Sequence, residues 1–423
     1  MPLIKPISGK LRAASLLSSI LTCTMALAAN PADMTSLPVP DGCALAETAS
    51  SKVAASPAHK QVFPPVALQI RTVIAPTAFA SGGRNYLIYE LDLQNYSDQT
   101  MDLRAIEVLD ASKATARPIA SFNQSQLKAQ LRPIGMDHWQ YHAHPHGDAN
   151  RKLGTGQSAV AFLCLAFEGK QPMPSQLRHR VHLENDSTDG PLIPVQLTPV
   201  PVFGGPLTGG DWHPRNGPHL DSHHRMGLVV TDGLAQNSRR FAIDWRKQKD
   251  GSQYVGDARD VRAYHAYGEN VLAVAEGTVV LARDGYPDNI PRTAAGFEPA
   301  LPITMENLGG NRVVVQLHNG QFAQYAHLQA GSVKVKQGQQ LVRGQLIGLV
   351  GNSGDSRVPH LHFQLTNQPD LFASEGLPYV IEQFRMKPAG TEWSTRTQEF
   401  PWGDDTVIDF GPAVDRAEAG LGR

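Results

Sequence analysis

Two histidines stand two residues apart in Pro359-His360-Leu361-His362-Phe363. The segment reads as a β-strand, in which side chains i and i+2 share a face. His360 and His362 are therefore expected to project together, with Leu361 buried behind them. Neutral imidazole is the commonest side-chain metal ligand. One ring can thus hold a metal while the other acts on a water beside it. Two further segments carry chemistry of the same kind. Asp244 stands in Phe241-Ala242-Ile243-Asp244-Trp245, and His327 in Gln324-Tyr325-Ala326-His327-Leu328-Gln329. One carboxylate with several histidines suits zinc, and a catalytic zinc site keeps three protein ligands and an open position for water. Such a site does hydrolysis. The metal lowers the pKa of its water and polarises a carbonyl. Nearby imidazoles orient the water or stabilise a developing oxyanion.

The elements that must position these residues are short strands. From about residue 223 the chain is a string of them. Val271 to Val280 reads as a strand pair meeting at a tight bend. Arg312–Leu317 and Gln321–Leu328 read as a hairpin across His318-Asn319-Gly320, where Asn-Gly is a strong turn signal. Val333 to Val350 carries two Gly-marked turns, and His360 to Leu365 closes the set.

Upstream, Leu87, Tyr89, Leu91 and Leu93 alternate with Tyr86, Ile88, Glu90 and Asp92, which predicts a strand. Leu103 to Leu109 restarts as a strand, and Val160 to Phe167 reads as a buried one. Their spacing predicts an immunoglobulin-like β-sandwich over residues 65–200. His138, His142, His144 and His146 crowd one stretch of it. They read as a polar loop, because no acidic or thiolate partner accompanies them. Residues 201–222 are rich in Gly and Pro and read as a linker, as does the Pro/Ala/Ser-rich stretch 29–64. Residues 1–28 read as an export signal. Lys5, Lys10 and Arg12 precede an apolar run from Ala13 to Ala28, and Ala26-Leu27-Ala28 is a small-x-small cleavage site. The chain is then expected to be periplasmic or secreted, with no transmembrane anchor after cleavage. Cys43 and Cys164 remain, either bridged or free. With 38 basic and 39 acidic residues and no basic stripe, nothing points to nucleic acid.

The three motifs, AIDW, QYAHLQ and PHLHF, resemble in that order the lysostaphin-type zinc peptidases that cut peptidoglycan cross-bridges. VLAVAEGTVV and GSVKVKQGQQLVRGQLIGLVGNSGDS are similar to that family's connecting strands and Gly turns. The resemblance covers about 224–385. It implies a mainly β protein with a lysostaphin-type antiparallel β-sheet peptidase domain over 223–385 and a C-terminal extension over 386–423. It further implies one zinc ion, a zinc-bound water as nucleophile, and peptidoglycan stem peptides as substrate. Carried over by residue, Asp244 and His362 would be zinc ligands. His360 would act on the water and His327 would stabilise the transition state.

One position departs from the family pattern. A histidine is expected four residues before the aspartate, and Arg240 stands there. A guanidinium has no lone pair for zinc. Two explanations compete. In one, His224 of Ser222-His223-His224-Arg225 supplies the third ligand, its spacing being similar to divergent periplasmic relatives, with His265 a weaker substitute. In the other, the site is degenerate and the domain binds wall peptide or activates another hydrolase. A third reading takes VKVKQGQQLVRGQLIG as a biotinyl/lipoyl-type hairpin. It lacks a Met-flanked lysine and leaves both histidine motifs unexplained.

Overall fold

The alternation of apolar residues predicts strands, and strands make up nearly all the regular structure. The computed structural model describes residues 36–47, 63–113, 117–134, 148–293 and 296–412. The expected export signal and the histidines at 138, 142, 144 and 146 lie outside them. Among the described residues the only α-helix is Gln124–Gln130, started by a capping box between Asn123 and Gln126.

The first part holds two sheets. One runs in the order Ala44–Leu45, Ser158–Glu168, Arg84–Asn95, Leu68–Arg71, and the other in the order Ser187–Asp189, Gln176–Leu183, Met101–Asp110, Arg117–Asn123. Leu87, Leu91 and Leu163 from the first pack with Ile106, Val108, Leu177 and Val181 from the second in one apolar cluster. Cys43 and Cys164 form a disulfide. It fastens the short strand Ala44–Leu45, which runs parallel to Ser158–Glu168 with Ala44 opposite Leu165.

The strand Arg84–Asn95 is buried on both faces, although a sheet of this kind often leaves one face to water. Leu87, Tyr89, Leu91 and Leu93 fill the cluster between the two sheets. Tyr86 and Ile88, pointing the other way, belong to the larger core built by residues after 200, with Phe241, Phe400 and Trp402. The rings of Tyr86 and Trp402 lie 5.1 Å apart. Glu90, on that same outward face, is 7% exposed and is held by two arginines described below.

The third sheet has eleven strands. Its middle runs Val380–Pro388, Thr406–Asp409, Trp212–Arg215, Ile243–Lys247, Leu361–Thr366, Phe322–Leu328, Asn311–Leu317, Gly277–Arg283. The stretch 201–222, Gly- and Pro-rich as it is, contributes Val202–Phe203 and Trp212–Arg215 to this sheet. Residues after 386 add Ser394–Glu399 and Thr406–Asp409. Trp402 and Phe400 are buried, so this stretch extends the core, while Trp393 is more exposed. The expected hairpin is present, with Val315 opposite Ala323 across its turn.

Candidate active site and metal centre

Register brings the motifs together. Asp244 on Ile243–Lys247 lies opposite His362 on Leu361–Thr366, and His362 lies opposite Ala326 on Phe322–Leu328. In a regular strand His327, one residue on, would point to the far face. Instead its φ is 62°, a left-handed conformation uncommon for residues other than glycine. The alternation breaks there, and the ring lies 4.9 Å from that of His360 and 5.8 Å from that of His362. The backbone is pinned in this state. His327 N–H donates to the Gly309 carbonyl at 3.0 Å, and Gly351 N–H donates to the His327 carbonyl at 3.1 Å. A Cβ on Gly351 would sit 2.2 Å from the nitrogen of Gln329. Only glycine lets the loop before His360 approach this closely.

The fourth histidine comes from a loop. His224 follows the buried Ser222, whose hydroxyl accepts from the His224 N–H at 3.1 Å. The His224 ring is 4.9 Å from that of His362. Asp244, His224, His327, His360 and His362 all line one cleft of about 500 Å³. His265 does not line it. The donor atoms of His223, His224 and Asp244 lie within 4.8 Å of one another. His223 is the more exposed of the two adjacent histidines.

Three imidazole nitrogens converge on one carboxylate oxygen. Asp244 Oδ1 is 3.0 Å from His362 Nδ1, 3.2 Å from His360 Nε2 and 3.6 Å from His224 Nε2. Each ring commits its other nitrogen to an oxygen acceptor. His362 Nε2 is 2.8 Å from Gln364 Oε1, and the Gln364 amide nitrogen donates to the Leu371 carbonyl, which leaves Oε1 as acceptor. His360 Nδ1 is 2.8 Å from the Val358 carbonyl, and His224 Nδ1 is 3.4 Å from that of Ala242. A neutral imidazole carries one N–H. The nitrogens that face Asp244 are therefore the lone-pair nitrogens, aimed at a carboxylate that also offers lone pairs. Burial pushes the His224 ring well below its ordinary pKa, the Asp244 charge opposing that shift only in part. A buried knot of acceptors of this kind fits a cation among them. The separations also suit one, because donors about 2.1 Å from a tetrahedral zinc stand about 3.4 Å apart.

Two residues of the site have no counterpart among the sequence expectations. Asn216, itself at φ 58°, donates from Nδ2 to Asp244 Oδ2 at 2.6 Å and fixes the carboxylate's rotation. Gln364 fixes His362. Its place two residues after His362 on a strand is a signal that period-2 reading offers; Asn216, on a turn far upstream, gives none.

Arg240 lies outside the cleft. It is 2% exposed and turns towards the strand Arg84–Asn95. Its Nε is 2.8 Å from Glu90 Oε2, one terminal nitrogen is 2.6 Å from Glu375 Oε2, and the other donates to the Gly376 carbonyl at 2.9 Å. Arg225, next to His224, pairs with the same Glu90 carboxylate and donates to the Tyr89 and Leu163 carbonyls at 2.9 and 3.2 Å.

Residues 259–372 match the family model described as Peptidase family M23. This part of the chain is an M23 peptidase domain. The matched stretch holds His327, His360 and His362, while Asp244, His224 and Arg240 precede it. The chain is 48% identical over 136 residues to the peptidoglycan DD-endopeptidase ShyA of Vibrio cholerae, a match that spans 32% of this chain and 28% of that one. The chain thus spans under a third of that relative's length. Among solved structures, the catalytic domain of lysostaphin from Staphylococcus simulans aligns at 22% identity, over 35% of this chain and 80% of that one, with a TM-score of 0.21. The catalytic domain of the M23 protein EnpA from Enterococcus faecalis aligns at 19% identity, over 42% and 92%, with a TM-score of 0.22. No helix among the described residues is long and apolar enough to cross a membrane.

Proposed function

We propose that the protein is an exported zinc metalloendopeptidase that hydrolyses peptide bonds in peptidoglycan cross-links. The observation that carries the reading is the convergence of three imidazole lone pairs on Asp244 Oδ1 inside a cleft of an M23 domain. Asp244, His362 and His224 would hold the metal, with His224 in the role that Arg240 cannot fill. Asn216, Gln364 and the Ala242 carbonyl orient them, as outer partners of metal ligands commonly do. When bound, zinc supplies Lewis acidity that polarises the scissile carbonyl and makes water acidic near neutral pH.

The remaining work falls to the chain's own groups. His360 is tied through Nδ1 to the Val358 carbonyl, so its Nε2 is the nitrogen that takes a proton from the attacking water. His327 is tied through Nδ1 to the Ser353 carbonyl at 2.8 Å and offers Nε2 to charge developing on the substrate oxygen. That role needs Nε2 to gain a proton during the reaction, because burial and the neighbouring His360 and His362 hold the free ring well below its ordinary pKa. The peptidoglycan assignment draws support from the Vibrio cholerae relative, whose matched part overlaps only a third of this chain. The degenerate-site reading leaned on Arg240, and the ion pairs of that residue give it a separate task.

The test is metal stoichiometry of the purified chain beside His224→Ala and His362→Ala, followed by digestion of cross-linked muropeptides. The expected result is about one zinc per chain, lost in both variants, and hydrolysis that stops with a chelator and returns with zinc. A chain that takes up no zinc under saturating metal would sink the mechanism.

A further inference from the structure

The cleft beside the histidines is rich in positive charge. Arg132, Arg239, Arg246, Arg292 and Arg357 line it, against only Asp244 and Asp355 as carboxylates. Both carboxylates are engaged. Asp244 faces three imidazoles and Asn216, and Asp355 pairs with Arg357. Arg132 is tied to the Met226 carbonyl. Among the described residues, Arg239 carries no ion pair.

Arg246 and Arg292 carry no ion pair either, but of these three, among the described residues, Arg239 is the one seated on an aromatic ring. Its guanidinium lies over the ring of Phe372 at 5.5 Å. On another side it lies against Gly227, where a Cβ would come within 2.5 Å of the guanidinium, so the absence of a side chain there makes its seat. Its Nε is buried and has no hydrogen-bond partner. A guanidinium is always charged and presents a planar fork that matches a carboxylate in two bonds. Burial disfavours its charge, and Asp244 and Asp355 oppose that from a distance without pairing with it, so a ligand carboxylate in contact would compensate its burial directly. Arg239 also stands where the catalytic cleft meets a second cavity of about 650 Å³, lined by residues of the sandwich such as Leu93 and Val160 together with Val230 and Met305. An extended substrate that leaves the histidines in that direction must pass it.

We infer that Arg239 is a specificity-determining residue that binds a free carboxylate of an acidic peptide substrate, close to the scissile bond on the side facing the sandwich. This rests on the peptidase reading above, and the test separates the two.

The probes are two stem-peptide dimers that differ only in carrying a carboxylate or a carboxamide on the residue beside the scissile bond. Each is made with a normal scissile amide and with that amide reduced to a methyleneamine that cannot be hydrolysed. Binding of the reduced pair to the zinc-loaded full chain is measured by calorimetry, and kcat/KM on the normal pair. Wild type is expected to prefer the carboxylate by tenfold or more, about the scale of a charge-assisted hydrogen bond. Arg239→Gln should lose that preference, chiefly through Kd and KM, while keeping zinc stoichiometry and kcat. Arg239→Lys should keep part of it and guards against a folding defect. Equal binding of the two reduced peptides by wild type overturns the inference, whether or not either normal peptide is cut. So does a preference that survives in Arg239→Gln. Selective binding without hydrolysis supports the inference and sinks the peptidase reading instead.

Discussion

Replacing Glu90 by alanine removes the carboxylate that two buried arginines share. The residue sits on the strand Arg84–Asn95, yet its carboxylate binds side chains that follow residue 200. Arg240 reaches it with Nε at 3.1 and 2.8 Å, Arg225 pairs with it, and the Asn237 amide donates to it at 3.3 Å. After the change Arg240 keeps Glu375 at 2.6 Å and the Gly376 carbonyl. Arg225 keeps only carbonyl oxygens and its place over the Phe162 ring at 5.0 Å. It becomes a buried cation with no anion. Breaking a buried pair from one side costs about 3–5 kcal/mol, because the stranded charge stays out of water. The expected loss in urea unfolding at neutral pH is of that size. The control is Glu184→Ala, which removes the exposed partner of Arg104 and should cost under about 1 kcal/mol. Because Arg225 directly follows His224, Glu90→Ala is also expected to weaken zinc binding although it lies outside the cleft. A stability loss below about 1 kcal/mol with unchanged zinc affinity would refute the view that this carboxylate clamps the loop.

Arg240→His restores the histidine spacing usual in the resembled family, yet it is expected to add no metal ligand. It should destabilise by about 3 kcal/mol, read by urea unfolding beside zinc stoichiometry, because the side chain points to Glu90 and Glu375. His179, fully buried against the Tyr89 hydroxyl at 2.7 Å, is pushed down by burial to a pKa of about 3. A ring held neutral when folded and ordinary when unfolded gives stability that is whole above about pH 6.5 and lost as pH falls towards 3. At pH 4.5 that is about 2–3 kcal/mol, and His179→Gln should flatten the slope of stability against pH between 6.5 and 4.5. Reducing the Cys43–Cys164 bridge, or replacing both residues by serine, opens a link across 121 residues of sequence. It should lower stability by about 4–5 kcal/mol at most on the loop-entropy scale. An unchanged unfolding midpoint would show that the bridge is incidental.

Much of the site was legible because strand chemistry is local. His360 and His362 share a face through period 2 alone, and the Asn319-Gly320 turn gives the hairpin that presents His327. His224 was reached through the gap that Arg240 leaves, and the structure puts its ring beside His362. What stayed hidden depends on partners distant in sequence. The turn of His327 off its strand comes from backbone contacts with Gly309 and Gly351, which no pattern around residue 327 announces. Asn216 acts from a Gly/Pro-rich stretch whose composition suggested a linker. Glu90 reads as the polar side of an alternating strand, and such a residue ordinarily meets water. Its burial needs the residues after 200 to be laid against that face.

The strand Thr406–Asp409 lies between Val380–Pro388 and Trp212–Arg215, and Trp212 pairs with Ile408. The sheet is therefore closed out of order. A chain that emerges from its N-terminus can lay down the first two sheets early, but Trp212–Arg215, the neighbour of the Asp244 strand, keeps a bare edge until almost two hundred further residues have followed. Arg240 likewise waits for Glu375, 135 residues further on. Pairings of such long reach form slowly and leave exposed edges meanwhile. The histidine cluster is thus among the last parts to be assembled, and a half-made chain holds the pieces of the site without its shape.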